Sequence, residues 1–359
     1  MSRLSPPCLA CLLLVAACTD RSPTAPRADF RVGSPEAAPS VTVMTQNLYV
    51  GADVDLVIGA LANGDPSDDV DALLFAIETL GKTHYPVRAA AIADRILRER
   101  PHVVGLQEVS VINIDLSALG GPVVELDFLT ILQAELAERG LHYDVAAQVQ
   151  NIVAEPLPGI SLVDHDALLV DADRVTVTAG AGQNFTLNVG PVAPGVVLRR
   201  GWVWADVVIA GAPYRFVSAH TEADLAGNHL GELRAAQVAQ LVASLPVDRP
   251  VVVMGDLNDT PGSLMYQILA AAGFTDAWAA LRPGLVGFTC CQLANLSNEM
   301  PALDERIDYV LARGIGHPLA GLHGWIDRFG DVPADRLPGP AYPIWPSDHV
   351  GLSATLGLR

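Results

Sequence analysis

The sequence predicts an α/β sandwich, two packed β-sheets clad with helices, on three observations. Half of the 359 residues are apolar, enough to bury one large core. Short β-branched runs recur from residue 41 to residue 358, with amphipathic stretches of helical spacing between them. Several of the runs finish on a polar residue, as expected of strands whose ends share one edge.

Before that pattern begins, the chain reads as an export segment. Arg3 precedes an apolar run over about residues 9–17, far shorter than the roughly 20 residues of a membrane span, so residues 1–17 read as a signal peptide. Its end, Val15-Ala16-Ala17-Cys18, resembles the bacterial lipobox, in which cleavage exposes a lipid-bearing cysteine. Cys18 is then the first mature residue and tethers the protein to a membrane of the bacterial cell envelope. Residues 18–40, rich in Pro, Ala, Ser and Arg and without apolar periodicity, read as a flexible tether, and 41–359 as the folded domain. Cys8 and Cys11 leave with the signal. The remaining pair, Cys290-Cys291, either closes a vicinal disulfide or packs as two thiols.

Residues 41–47, VTVMTQN, alternate and are β-rich, giving a strand that delivers Asn47 at its end. A polar loop with several Asp follows, an acidic insertion suited to a lid or a substrate loop. From Pro86, the stretch VRAAAIADRILRER places Ala89, Ile92 and Ile96 on one helical face, with Arg88, Arg95 and Arg98 mostly elsewhere. Pro101 ends that helix, and 102–106 form a short buried strand presenting Gln107 and Glu108. A second helix covers 127–139. The clearest hairpin pairs 202–209 with 214–219 and ends at His220. After a helix near 232–244, the continuous apolar run 250–254 reads as a strand covered on both faces. It ends in Gly255-Asp256-Leu257-Asn258. Residues 306–311, containing Asp308, and 350–358, just after Asp348-His349, complete the strands.

The polar strand ends are therefore Asn47, Glu108, His220, Asp256, Asn258, Asp308, Asp348 and His349. Singly, each fits a turn former or helix cap. Jointly they supply what phosphodiester hydrolysis requires. Glu108, Asp348 and the amide oxygen of Asn47 are hard donors suited to Mg²⁺, with Mn²⁺ or Ca²⁺ as alternatives, and no zinc-type His/Cys spacing accompanies them. A formal net charge of −18 with no Lys/Arg run argues against a basic surface for a polyanion. Arg199-Arg200 beside an aromatic could grip phosphate, but Trp202 and Trp204 alternate as one packed face, which leaves the arginines solvated.

Six segments carry these residues in order: TQNLYVG, VVGLQEV, FVSAHTE, VVVMGDLND, ERIDYVL and SDHVGL. This order, spanning about 41–355, resembles the endonuclease/exonuclease/phosphatase superfamily, which includes deoxyribonuclease I-like nucleases, abasic-site endonucleases, neutral sphingomyelinases and inositol-phosphate phosphatases. The resemblance implies four layers, two packed mainly antiparallel or mixed sheets flanked by helices. It also implies a metal-dependent hydrolase of phosphoric ester bonds that uses attack by water. Asn47, Glu108 and Asp348 would lie in the metal site, with Glu108 the principal ligand. Asp256 would position or deprotonate the water, and Asn258 would hold the phosphate. His349, oriented by Asp308, and His220 would face the phosphoryl oxygens.

Three departures accompany the resemblance, the first being the acidic insertion between Asn47 and Pro86, longer than a minimal enzyme needs. Pro101-His102 replaces the usual Pro-Asp, and Asp166-Ala167-Leu168 stands where many relatives carry a Ser-Arg pair. The last weakens assignment of substrate by analogy. Nucleic acid, a phospholipid headgroup and a small phosphate ester all remain open, with an extracellular endonuclease ahead of a sphingomyelinase or phospholipase C-type enzyme. A surface-tethered binding protein without catalysis is the reading of another class. A monomer is expected.

Overall fold

The computed structural model describes residues 40–358 except 64, 226 and 317–320; the signal segment, Cys18 and the tether up to residue 39 lie outside them. Two large sheets organise the domain. The first contains, in spatial order, Gly324–Phe329, Gly351–Gly357, Ser40–Asn47, Val103–Gln107, Ile160–Asp171, Tyr143–Leu157, Val196–Leu198 and Gly190–Ala193, with Val111–Asp115 and Val123–Asp127 attached beside Ile160–Asp171. The second runs Thr275–Asp276, Asp308–Arg313, Val251–Asp256, Ala212–His220, Gly201–Ile209 and Thr176–Asn184. Each is antiparallel except at one pair: Ser40–Asn47 with Val103–Gln107, and Ala212–His220 with Val251–Asp256.

Period-two alternation explains why the strands read as apolar on both sides. Val41 and Val43 meet Val252, Met254 and Val310 between the sheets. The opposite faces are covered by helices. Met44, Val104 and Leu106 pack under Tyr85–Glu99 and Phe128–Glu138 through Ile92, Ile96 and Leu132. Val251, Val253 and Leu311 pack under Gly231–Ser244 and Leu264–Ala271 through Val238, Leu241 and Leu269. The four-layer sandwich expected from the sequence is the observed fold.

Two expectations are corrected. The stretch after Asn47, read as a polar loop, is largely helical, with helices Val54–Asn63 and Pro66–Thr83. Asp65 caps the second by accepting from the Ser67 amide at 3.0 Å, and Pro66 starts it with its φ preset. Leu73, Ile77 and Leu80 then fall on one face, a spacing masked in the sequence by the surrounding acidic residues.

Arg88 and Arg95, read as lying off the apolar face, are buried. Arg88 is four residues before Ile92 and shares its stripe. Its guanidinium donates to the carbonyls of Leu48, Tyr49 (2.9 Å), Thr83 (2.9 Å) and Pro346 (3.3 Å). The loop leaving Asn47 is thereby fastened to the segment approaching Asp348.

Candidate active site

Three adjacent strand ends of the second sheet stand in one row, because His220 is registered with Asp256 and Asp256 with Asp308. Gly255 makes that row possible. Its φ of +136° is costly for an L side chain, and a Cβ there would collide with the Ala219 backbone. The first sheet contributes Asn47 and Glu108 from two parallel strands with level ends, Asn47 opposite Gln107. Asp348 and His349 enter from the segment before Gly351–Gly357. One residue before Glu108, the Gln107 side chain donates to Ser218 Oγ at 2.7 Å and ties the sheets together.

Glu108, His220, Asp256, Asn258, Asp348 and His349 line a single cleft. Asn47 and Asp308 stand behind its wall and touch the groups that line it. Asp308 Oδ2 lies 2.9 Å from His349 Nδ1, so the Nε2 edge of that ring is turned to the cleft. Asp256 Oδ2 is central, 3.7 Å from Nε2 of both His220 and His349. Ser347 holds the Asp348-His349 turn by donating to the Asn47 carbonyl at 2.8 Å and accepting from the His349 amide at 3.1 Å.

Asn47 differs from expectation in which end of its amide faces the carboxylates. Its nitrogen donates to Glu108 Oε1 at 2.9 Å and to Asp256 Oδ2 at 3.2 Å, while its oxygen accepts from the Tyr49 amide at 2.9 Å. In this arrangement Asn47 bridges two carboxylates and does not present a free oxygen. Glu108 Oε2 accepts from the Val50 amide at 2.8 Å, and Glu108 itself sits at φ +55°, a left-handed conformation often found at functional sites. Asn258 likewise has φ +48°. Its backbone amide donates to Asp256 Oδ1 at 2.9 Å and its side chain donates to the Thr221 carbonyl at 3.0 Å.

Burial and mutual repulsion set the electrostatics. Burial pushes the Asp348 carboxyl up to about 7, with Glu108 reinforcing the rise and His349 opposing it. Burial also raises Asp256, and the neighbouring Asp308 adds to it. The two histidines separate: burial and the Arg200 guanidinium lower His220 to about 4, whereas Asp308, Asp256 and Asp348 outweigh burial and hold His349 well above its ordinary value. At neutral pH one imidazole is neutral and the other cationic.

Crowded carboxylates of this kind suit a hard divalent cation, which would relieve their repulsion. Among the described residues, ligand atoms of Asp256, Asp308 and His349 lie within 4.8 Å of one another, as do those of Asp164, Asp166 and His220. Glu108 and Asp348 adjoin the first group in the same cleft.

Of the second group, sequence reasoning found His220 and missed the two carboxylates. Asp164 and Asp166 alternate with Leu168 and Val170, so all four share the face turned to the other sheet. Asp166 Oδ1 lies 3.2 Å from His220 Nδ1, and burial lifts its carboxyl to about 7. Arg200, read as solvated, is buried with Nε 3.2 Å from Glu222 Oε1 and Nη1 3.3 Å from His220 Nδ1. It stands just before the strand Gly201–Ile209, whose first residue is registered with His220, and is held inward by these two partners; Arg199 is exposed. Cys290 and Cys291 stand together on the cleft wall, with Cys290 Sγ 3.7 Å from His349 Nε2. His102 accepts from the Thr42 amide at 3.1 Å, which gives the replacement for the usual Asp a structural task.

Two sheets flanked by helices, with carboxylates and two unlike histidines gathered at their strand ends, define a hydrolase of phosphoric ester bonds. The chain belongs to the endonuclease/exonuclease/phosphatase family, whose model matches residues 44–349. Solved structures agree on the fold. A family member from Leptotrichia buccalis C-1013-b superposes with a TM-score of 0.54 at 13% identity, covering 88% of this chain and 98% of that one. A family member from Bacteroides thetaiotaomicron gives 0.53 at 16% identity, covering 89% and 95%. The mannosyl-6-phosphatase of Bacteroides thetaiotaomicron VPI-5482 gives 0.51 at 18% identity, covering 88% and 99%. No curated protein sequence matches the chain.

Proposed function

We propose that the protein is an exported, metal-dependent phosphoesterase that cleaves a phosphodiester or phosphomonoester by attack of water. The observation that carries this reading is the meeting of Glu108, Asp256, Asp348 and His349 in one cleft, backed by Asn47 and Asp308. Glu108 and Asp348 would hold the cation, Mg²⁺ first and Mn²⁺ or Ca²⁺ as substitutes, with Asn47 keeping Glu108 and Asp256 in register. When bound, the cation offsets charge developing on the phosphate.

The remaining work falls to the chain's own groups. Asp256, raised by burial, accepts a proton from the attacking water. His349, cationic and held by Asp308, donates a hydrogen bond to a phosphoryl oxygen. His220, neutral and held by Asp166, faces the same space, and Asn258 lines the side where the phosphate rests. An extracellular nucleic acid is one substrate with the required bond. The same reading places a signal peptide at 1–17, a lipid on Cys18, a tether at 18–40 and a monomeric domain at 41–359, on the strength of the VAAC segment and the composition after it.

The test is hydrolysis of bis-p-nitrophenyl phosphate, p-nitrophenyl phosphate and plasmid DNA by the purified protein, with Mg²⁺, Mn²⁺ or Ca²⁺ and with EDTA. Turnover that EDTA abolishes and His349→Ala removes supports the reading; no turnover of any substrate with any of the three cations sinks it. Membrane association that survives Cys18→Ser would refute the anchor.

A further inference from the structure

One buried carboxylate at the cleft takes no part in the hydrolysis described. Asp164 lines the cleft beside His220 and is fully buried, and among the described residues its Oδ2 has no hydrogen-bond partner. A carboxylate oxygen left bare in the interior is costly, and a bound ion is one of the few things that relieve it.

The surroundings of Asp164 have the form of a ligand shell. Ser110 Oγ donates to its Oδ1 at 3.0 Å, and Asn151 Nδ2 donates to Asp166 Oδ2 at 2.7 Å. Each carboxylate is thus held at one oxygen by a neutral donor, which fixes its direction without cancelling its charge. Asp166 Oδ1 faces His220 Nδ1 at 3.2 Å, and ligand atoms of Asp164, Asp166 and His220 lie within 4.8 Å of one another. A single ion with bonds of about 2–2.5 Å can span that spacing.

Charge is also out of balance here. Glu222, Asp164, Glu108 and Asp166 all act on the Arg200 guanidinium. With Glu108 given to the first cation, three carboxylates face one guanidinium, an excess that one divalent cation cancels when they are ionised. Arg200 Nη1 stands 3.3 Å from His220 Nδ1 and must turn aside for a cation to take that nitrogen. An acceptor is ready for it: Glu222 Oε1 already lies 3.2 Å from Arg200 Nε, and Glu222 Oε2 is buried without a partner among the described residues.

We infer that the protein holds a second divalent cation, bound by Asp164, Asp166 and Nδ1 of His220, apart from the one assigned to Glu108 and Asp348. An imidazole nitrogen with two carboxylates suits Mn²⁺ or Zn²⁺ better than Mg²⁺ or Ca²⁺, which favour oxygen ligands throughout. The Nε2 edge of His220 stays turned to Asp256 Oδ2, 3.7 Å away, so the ion anchors that ring from behind.

The experiment counts Mn²⁺ on the purified, EDTA-stripped protein from the electron paramagnetic resonance of the free ion. It is done without substrate and at physiological salt, which screens the exposed acidic residues. We expect two Mn²⁺ per chain. Asp164→Asn should lose one and Glu108→Gln the other, and excess Mg²⁺ should displace only the Mn²⁺ that Asp164→Asn retains. Ser110→Ala keeps both carboxylates and should weaken the second site by about tenfold. Asp166→Asn gives the same count should Asp164→Asn misfold. A wild-type chain that binds a single Mn²⁺, unaffected by either Asn substitution, overturns the inference, and so do two Mn²⁺ that both survive these substitutions. Because the count needs no turnover, a chain inactive on every ester that binds two Mn²⁺ in this way would refute the phosphoesterase reading and leave the second cation standing. An active chain that binds only one would do the reverse.

Discussion

Nδ1 of His349 sits 2.9 Å from Oδ2 of Asp308, and neither residue belongs to the sheet that carries the other. Asp308 starts a strand of the second sheet, while His349 lies in the turn feeding an outer region of the first. The pair is thus a joint between the two halves of the sandwich as well as an orienting contact. Asp308→Asn keeps the shape but removes the charge that holds the imidazolium. Activity should fall by about 10²-fold or more, and the pH at which the remaining activity depends on His349 protonation should move down. An unchanged pH–rate profile in Asp308→Asn would contradict the orienting role.

Asn47 donates to Glu108 and Asp256 at once. Asn47→Ala removes both donors and leaves two buried carboxylates to repel each other, at a cost of about 1–3 kcal/mol in metal-free protein. Excess Mg²⁺ should recover part of that stability. Chemical denaturation with and without Mg²⁺ measures both effects, and equal losses in the two conditions would deny Asn47 a place at the cation.

The carboxyls of Asp166 and Asp348 are raised on folding to about 7, mainly by burial. The folded chain therefore binds more protons than the unfolded chain up to that pH, and the stabilisation this confers at low pH is lost as pH rises through about 7. His220, lowered to about 4 from an ordinary 6.5, acts oppositely and only below about 6.5. Between pH 6.5 and 8, in EDTA, Tm should decline by a few degrees, and Mg²⁺ should flatten the decline by substituting for the protons. A Tm that is level or rises over this range in EDTA would refute the account.

Arg88 satisfies four carbonyl oxygens around the loop after Asn47 and the approach to Asp348. Arg88→Met preserves much of the bulk but strands those carbonyls, and should destabilise by about 3 kcal/mol or more. Because the guanidinium fixes a loop on either side of the site, the surviving folded fraction should also show a lower specific activity. Normal stability in Arg88→Met would show that water replaces the clamp at little cost.

Local patterns made most of the framework readable. Alternation located the strand ending in Asn47 and the hairpin ending in His220, and Pro101 marked the end of a helix; the observed bounds differ by a residue or two because hydrogen-bond partners, absent from a sequence, set where pairing stops. The same periodicities also contained what was overlooked. Arg88 shares a helix face with Ile92, and Asp166 a strand face with Leu168. In each case the charge of the residue outweighed its position in the reading, although burial follows position whenever partners are present.

The sequence by itself determined the order of strand ends and the identity of the polar residues on them, because a strand's length and face follow from local pattern. Tertiary structure alone decided that Asp256 stands between two histidines and that Asn47 turns its nitrogen to two carboxylates. It also decided that the two helices after Asn47 enclose an apolar slot against the first sheet. Those facts depend on register, on which face of one sheet meets the other, and on how two helices stand off the surface. Such relations join residues tens to hundreds of positions apart, and no local periodicity encodes them.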